Sequence, residues 1–276
     1  MEKMEVADCN VLPEGCIATI LSFTTPRDAC RSAMASEVFR SAAESDIVWE
    51  RFLPPDCNEL LSRLVTPLEF SSKKELFLQL CNSVLIDGGK KSFKLEKSSG
   101  KKSFTLSARE LSITWSNNPM YWSWVPTNES RFTETAVLRT TWWLEIHGKI
   151  NTKILSPNTT YGAYLIMRIT KRKYGLDTKP SEISVEVGDR KSTGIAYLLG
   201  KRSGEDGDED DNSNEVEESK AIFPKERVDG WMEIELGEFF NGGGLDQEVN
   251  MSLTEVRGYR LKAGVVIEGI EVRPKH

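Results

Sequence analysis

The stretch ITWSNNPMYWSW sets Trp115, Tyr121, Trp122 and Trp124 around an Asn-Asn-Pro turn, and six of the seven tryptophans lie between Trp115 and Trp231. Pyranose rings present flat C–H faces that stack on such side chains, while their hydroxyls need polar groups nearby. Asn117 and Asn118, with the Glu238 carboxylate of LGEFF, complete the residue types of a sugar site. Core packing explains some of the same aromatics, since Trp142 shares an alternating pattern with Leu144 and Ile146. Both readings stand at this level.

Residues for catalysis are sparse. Histidine occurs only at His147 and His276, which removes His-rich metal sites and H-E-x-x-H. His147 sits in an alternating strand pattern, where a structural role is the simpler reading. There is no G-x-S-x-G and no G-x-x-x-x-G-K-[ST], and Gly242–Gly244 reads as a turn. Glu233, Glu235 and Glu238 could pair as acid and base, but their spacing equally fits a solvated strand face. The five cysteines are odd in number, lack C-x-x-C spacing and stop at Cys81, so reduced thiols are expected, without disulfide or zinc ribbon. No catalytic residue, cofactor or metal is assigned.

Charge is concentrated locally. The 276 residues carry a net −6, yet nine of the fourteen residues Glu205–Glu218 are acidic. Setting that segment aside leaves 36 basic residues against 33 acidic ones. Such a run buries too little apolar surface to fold, so residues 203–220 are expected to form a solvated, disordered loop. Six lysines between Lys90 and Lys102 flank Phe93, a pattern that suits single-stranded nucleic acid but reads more simply as a solvated hairpin. Nucleic acid is not an expected partner. No apolar stretch approaches the ~18–20 residues of a membrane span. The N-terminus also lacks an apolar signal core, so work in the cytoplasm or nucleus is expected and membrane attachment is not.

These residues need elements to position them, and the chain changes period near residue 86. Before it, spacing is helical: Ile17, Ile20 and Leu21 share a face behind Pro13, and Ala35, Val38, Phe39 and Ala42 share another. Thr25 caps a helix with Pro26 at its first position and Asp28 at its third. Asp46 is placed to cap a helix bearing Trp49 and Phe52, and Ser72–Glu75 opens another. Beyond residue 90 the period is two. The repeated KKSF at Lys90–Phe93 and Lys101–Phe104 predicts a hairpin. Further strands are read at Leu111–Trp115, Leu138–Ile150, Ala163–Ile169, Ile183–Val187, Val249–Leu253 and Val265–Ile267. The expected fold is multidomain: N-terminal helices, then an antiparallel, jelly-roll-like β-sandwich.

The helical half resembles an F-box. LPEGCIATILSFTTPRDACRSAMASEVFRSAAESDIVWERFLP has the family's Leu-Pro start, Ile-Leu pair, Pro-x-Asp and terminal Val-Trp. The resemblance implies docking on a Skp-type adaptor of a cullin-RING ubiquitin ligase, with Leu12, Pro13, Ile17, Ile20, Leu21 and Trp49 as docking or supporting residues. The β half is similar to the phloem protein 2 lectins of plants, related to the jasmonate-inducible tobacco chitin-binding lectin. The matching segments are SARELSITWSNNPMYWSW, AVLRTTWWLEIHGKINTKILSPNTTYGAYLI, DGWMEIELGEFFN and GVVIEGIEVRP. This implies carbohydrate binding through Trp115, Trp122 and Glu238, with Leu245 standing where the family has a second carboxylate. The domain expectation is an F-box over 8–54, a helical and hairpin linker over 55–102 and the lectin sandwich over 103–274. The expected function is substrate recognition for the ligase, with a glycan or glycoprotein target, or alternatively a protein target held without sugar.

Overall fold

The computed structural model describes residues 12–177, 179–199, 221–244, 246–258 and 260–275. The expected acidic loop, Leu245 and His276 lie outside the described residues. Two compact units are present, one of residues 1–84 with Phe93–Lys102 and one of Leu85–Ser92 with Ser103–His276.

In the helical unit, α1 is Glu14–Ser22, α2 Pro26–Ser32, α3 Glu37–Glu44, α4 Asp46–Phe52, α5 Cys57–Ser62 and α6 Lys73–Leu80. Short helices need their free N–H groups met locally. Thr25 Oγ1 accepts from the Asp28 amide at 3.1 Å, Ser36 from Phe39 and Ser72 from Glu75. Asp46 does not cap α4. Ser45 holds that position, and the Asp46 carboxylate accepts the Lys73 amide at 2.8 Å, tying the start of α4 to the start of α6. Trp49, Phe52 and Phe77 form the aromatic centre, with ring centroids 5.2–6.5 Å apart. Trp49 Nε1 donates to the Ala43 carbonyl, so this large ring is buried without an orphaned donor. Gly100, at φ +70°, passes so close to the Phe52 carbonyl that a Cβ would lie 3.0 Å from its oxygen.

The β half is a sandwich of two antiparallel sheets. The first runs in the order β1 (Val84–Ile86), β2 (Lys91–Leu95), β3 (Lys102–Ser107), β14 (Ala263–Pro274), β8 (Thr159–Tyr174), β12 (Met232–Asn241) and β11 (Lys225–Glu226). The pair β5 (Trp122–Val125) and β6 (Thr135–Leu138) joins it along β14. The second runs β10 (Arg190–Ala196), β9 (Ser181–Val187), β13 (Glu248–Glu255), β7 (Leu144–Asn151) and β4 (Ser112–Ile113). Alternation explains the burial. Leu144, Ile146 and Ile150 of β7 point inward, as do Val249, Met251 and Leu253 of β13, while Glu145 and His147 face outward. At Gly148 the sheets approach so closely that a Cβ would sit 2.8 Å from Ile270 of the opposite sheet.

Two expected strands are corrected. The run from Leu138 to Ile150 is two strands in different sheets, with Thr140–Trp143 crossing between them. Thr141 and Lys262 exchange backbone hydrogen bonds there, which arrests the chain and turns Trp142 outward. The run Leu111–Trp115 shortens to Ser112–Ile113, because Trp115 takes a left-handed φ of +60° and leaves the sheet.

Candidate functional site

The departures at Trp115 and at Thr140–Trp143 assemble the site. Asn118 organises the turn: its carbonyl accepts the Tyr121 and Trp122 amides, and its side-chain oxygen accepts the Met120 amide at 3.0 Å. This returns Tyr121 beneath Trp115, with ring centroids 4.9 Å apart. Trp142, from the crossing segment, meets Trp115 at 5.8 Å and Tyr121 at 6.4 Å, both edge-on. Trp115 is 39% and Trp142 46% exposed, and Met120, next to Tyr121 in the chain, is exposed as well. Because the three rings touch one another, they form a ledge on which a flat ligand face can rest, with no cage between them. A left-handed tryptophan backbone is costly and persists where surrounding structure enforces it, a feature that clusters at binding sites.

A polar edge lies beside the ledge. Glu145 accepts from Trp143 Nε1 at 2.8 Å, His147 Nε2 at 2.9 Å and Thr114 Oγ1 at 2.9 Å. These donors, Trp143 foremost, hold its carboxyl down at about 2, so it is a fixed anion at every physiological pH. Beneath, Lys262 Nζ donates to the Trp142 carbonyl at 2.8 Å and forms an ion pair with Glu255. Both side chains of that pair are 3% exposed. Burial alone lowers the Lys262 pKa.

The residues expected from sequence to form one sugar site are not brought together. Trp122 is 2% exposed, and its Nε1 donates to the Thr114 carbonyl at 3.1 Å, so its ring supports the ledge from the core and offers no open face. Glu238 is on β12 opposite Gly162, where Lys275 donates to it at 2.8 Å. It lines an open hollow of about 840 Å³ with Arg190, exposed Phe240 and Thr152. Glu145 and Thr152 lie seven residues apart along β7 and its continuation, roughly 23 Å at ~3.3 Å per residue. The ledge and Glu238 therefore occupy different regions of the sandwich. Of the other carboxylates, Glu233 is taken by Arg227 and Arg273, and Glu235 by Lys275. Burial would raise the Glu233 pKa, but the two guanidinium groups outweigh it and lower it.

In the helical unit the expected docking residues divide. Leu12, Pro13 and Ile20 are exposed, whereas Ile17, Leu21 and Trp49 are buried and support the helices that carry them. Phe23 and Ile47 add exposed apolar surface, at 68% and 57%. A soluble helix that buries one face and leaves large apolar side chains on another is shaped for a partner.

Residues 101–274 match the family model for phloem protein 2. Over nearly the whole chain the sequence is 55% identical to F-box protein PP2-B15 of Arabidopsis thaliana, covering 96% of each. The chain belongs to the plant F-box proteins with a phloem protein 2 domain. F-box protein VBF of the same plant is 50% identical, over 96% of this chain and 99% of that protein, and F-box protein PP2-B10 is 44% identical, over 99% and 96%. Among solved structures, TmCBM61 in complex with β-1,4-galactotriose aligns at a TM-score of 0.29 and 10% identity, over 60% of this chain and 87% of that one.

Within this F-box/phloem protein 2 chain, sequence reading includes Tyr121 in the aromatic turn but does not single out Trp142 as its ledge partner or Glu145 as their polar neighbour. The E-x-H alternation of Glu145 and His147, opposite in face to Leu144 and Ile146, is the signal that could have found the polar edge. For Phe23 the signal is its i+3 spacing from Ile20. Among the described residues no cluster of His, Cys, Asp or Glu is fit to hold a metal, and no helix is long and apolar enough to cross a membrane.

Proposed function

We propose that this protein is a substrate-recognition subunit of an SCF-type cullin-RING ubiquitin ligase. In this reading the F-box, over about residues 8–54, docks on a Skp-type adaptor through Leu12, Pro13 and Ile20, joined by Phe23 and Ile47, with Ile17, Leu21 and Trp49 holding the helices. The phloem protein 2 domain, over about 103–274, receives a glycan or glycoprotein target. Bond-making belongs to the ligase's partner enzymes, and this chain supplies proximity in the cytoplasm or nucleus. The observation that carries the reading is the exposed Trp115–Tyr121–Trp142 ledge beside the anionic Glu145 edge, a stacking surface next to fixed hydrogen-bonding groups. Trp122 acts from the core, and Glu238 contributes only to ligands that reach its separate hollow.

The exposed Met120, next to Tyr121 in the chain, favours a second reading, in which the ledge grips a protein segment directly. A glycan array probed with the intact chain separates the two. Saturable binding to a defined glycan class, lost in Trp142→Ala, supports the first; an array without a hit leaves the second. Co-purification with a plant Skp-type adaptor tests the F-box. Capture should fall at least about tenfold when Leu12, Pro13 and Ile20 become alanine, and undiminished capture contradicts adaptor docking at this face.

A further inference from the structure

The helical unit carries a second apolar surface that shares none of the exposed residues Leu12, Ile20, Phe23 and Ile47. It is a groove of about 540 Å³ lined by Pro26, Met34, Trp49, Phe77 and Leu78, with Arg27, Cys30, Arg31, Lys97 and Ser98 completing it. Trp49 and Phe77 form its floor at 1% exposure, while Met34, at 76%, and Leu78, at 44%, stand open at its rim. Every charged residue that lines it is cationic. Arg27, Arg31 and Lys97 are all exposed, and none has an ion-pair partner among the described residues.

Two of these cations share α2, where Arg31 stands at the end of the helix that favours positive charge. Arg27 and Arg31 are four residues apart on α2 and repel one another across one turn. Arg27 also stands in the first turn, where the helix dipole disfavours positive charge. An anion laid along the groove relieves both terms while covering Met34 and Leu78. We propose that this groove docks a short acidic segment of a partner protein, whose apolar side chains pack on Met34 and Leu78 above the Trp49–Phe77 floor and whose Asp or Glu side chains meet Arg27, Arg31 and Lys97. The partner is thus chosen by a sign of charge as well as by an apolar pattern.

The probe is a fluorescein-labelled synthetic peptide alternating Leu or Phe with Asp and Glu, titrated by anisotropy into the full chain, alone and bound to its adaptor. One control replaces each acid by Lys, and another each apolar residue by Ser. Binding of the acidic peptide should weaken about tenfold or more in the Arg27→Glu, Arg31→Glu double variant, and separately in Met34→Asp. It should also weaken as salt rises. All three positions are exposed, so an unchanged melting curve establishes that each variant is folded. Equal binding of the Lys peptide, or full affinity in both variants, overturns the proposal. So does displacement of the peptide by the adaptor, which makes the groove part of the adaptor interface. A large gain in affinity on deleting residues 205–218 overturns it too, by giving the groove an occupant within the chain.

Discussion

Alanine in place of Trp122 and alanine in place of Trp142 should have opposite consequences, because one ring is core and the other is ledge. Trp122 is 2% exposed. Its side chain removes ~200 Å² from water, and at ~25 cal/mol per Å² that is about 5 kcal/mol, in line with the ~3–5 kcal/mol seen for large-to-small core substitutions. The Thr114 carbonyl also loses its donor, adding about 1 kcal/mol. For a domain of this size each kcal/mol moves the melting temperature by ~2–4 °C, so Trp122→Ala should melt roughly 10 °C or more below the parent. Trp142 is 46% exposed, which roughly halves the burial term to about 2.5 kcal/mol and the shift to about 5–10 °C. Calorimetry of the full chain, following the transition of the sandwich, reads both. On a glycan array Trp142→Ala should lose binding while remaining folded. If Trp142→Ala melts as low as Trp122→Ala, the ring is structural and the ledge is wrongly drawn.

Three further outcomes follow from the same contacts. Lys262→Met leaves the buried Glu255 carboxylate unpaired and should destabilise by ~3–5 kcal/mol, whereas Lys262→Met with Glu255→Leu should recover most of that loss, as a double-mutant cycle in denaturant would show. The Glu145 carboxyl is lowered from 4.5 to about 2 in the fold, so its contribution is present above about pH 4.5 and lost as pH falls towards 2. Denaturation midpoints of Glu145→Gln should therefore be lower than the parent's at neutral pH and less sensitive to acid in that window; a parallel pH dependence would contradict the assigned hydrogen bonds. At Gly269 a Cβ would meet the Leu106 backbone oxygen at 1.9 Å, so Gly269→Ala should open the β3–β14 pairing and cost about 3 kcal/mol or more, visible as loss of soluble protein.

Local chemistry made much of the fold legible. Thr25 and Ser72 cap the helices that their spacing predicts, and the KKSF repeat forms the β2–β3 hairpin. Asp46 is the local exception: capping chemistry names Asp and Ser equally, and only the approach of α6 decides that Asp46 serves Lys73. The Leu138–Ile150 run misleads for a different reason. Most of its alternate residues are large and apolar, but a period of two reports which way side chains point within one strand and is silent on a change of sheet. Trp142 therefore reads as core and stands on the surface. The same blindness to tertiary distance joined Trp115 and Trp122 to Glu238, although one of these residues is buried and another lines a different region of the sandwich. What sequence did locate correctly is the aromatic turn at Asn117–Pro119, where a polar break interrupts large rings.

The central claim is that a saccharide rests on the Trp115–Tyr121–Trp142 ledge. Titrating the best glycan from an array into the full chain, with tryptophan fluorescence as readout, tests it directly in the parent, Trp115→Ala, Trp142→Ala and Glu238→Gln. Saturable quenching should occur in the parent, weaken at least about tenfold in both tryptophan variants and persist in Glu238→Gln. Binding that survives both tryptophan variants and disappears in Glu238→Gln would move the site to the β12 hollow and contradict the ledge.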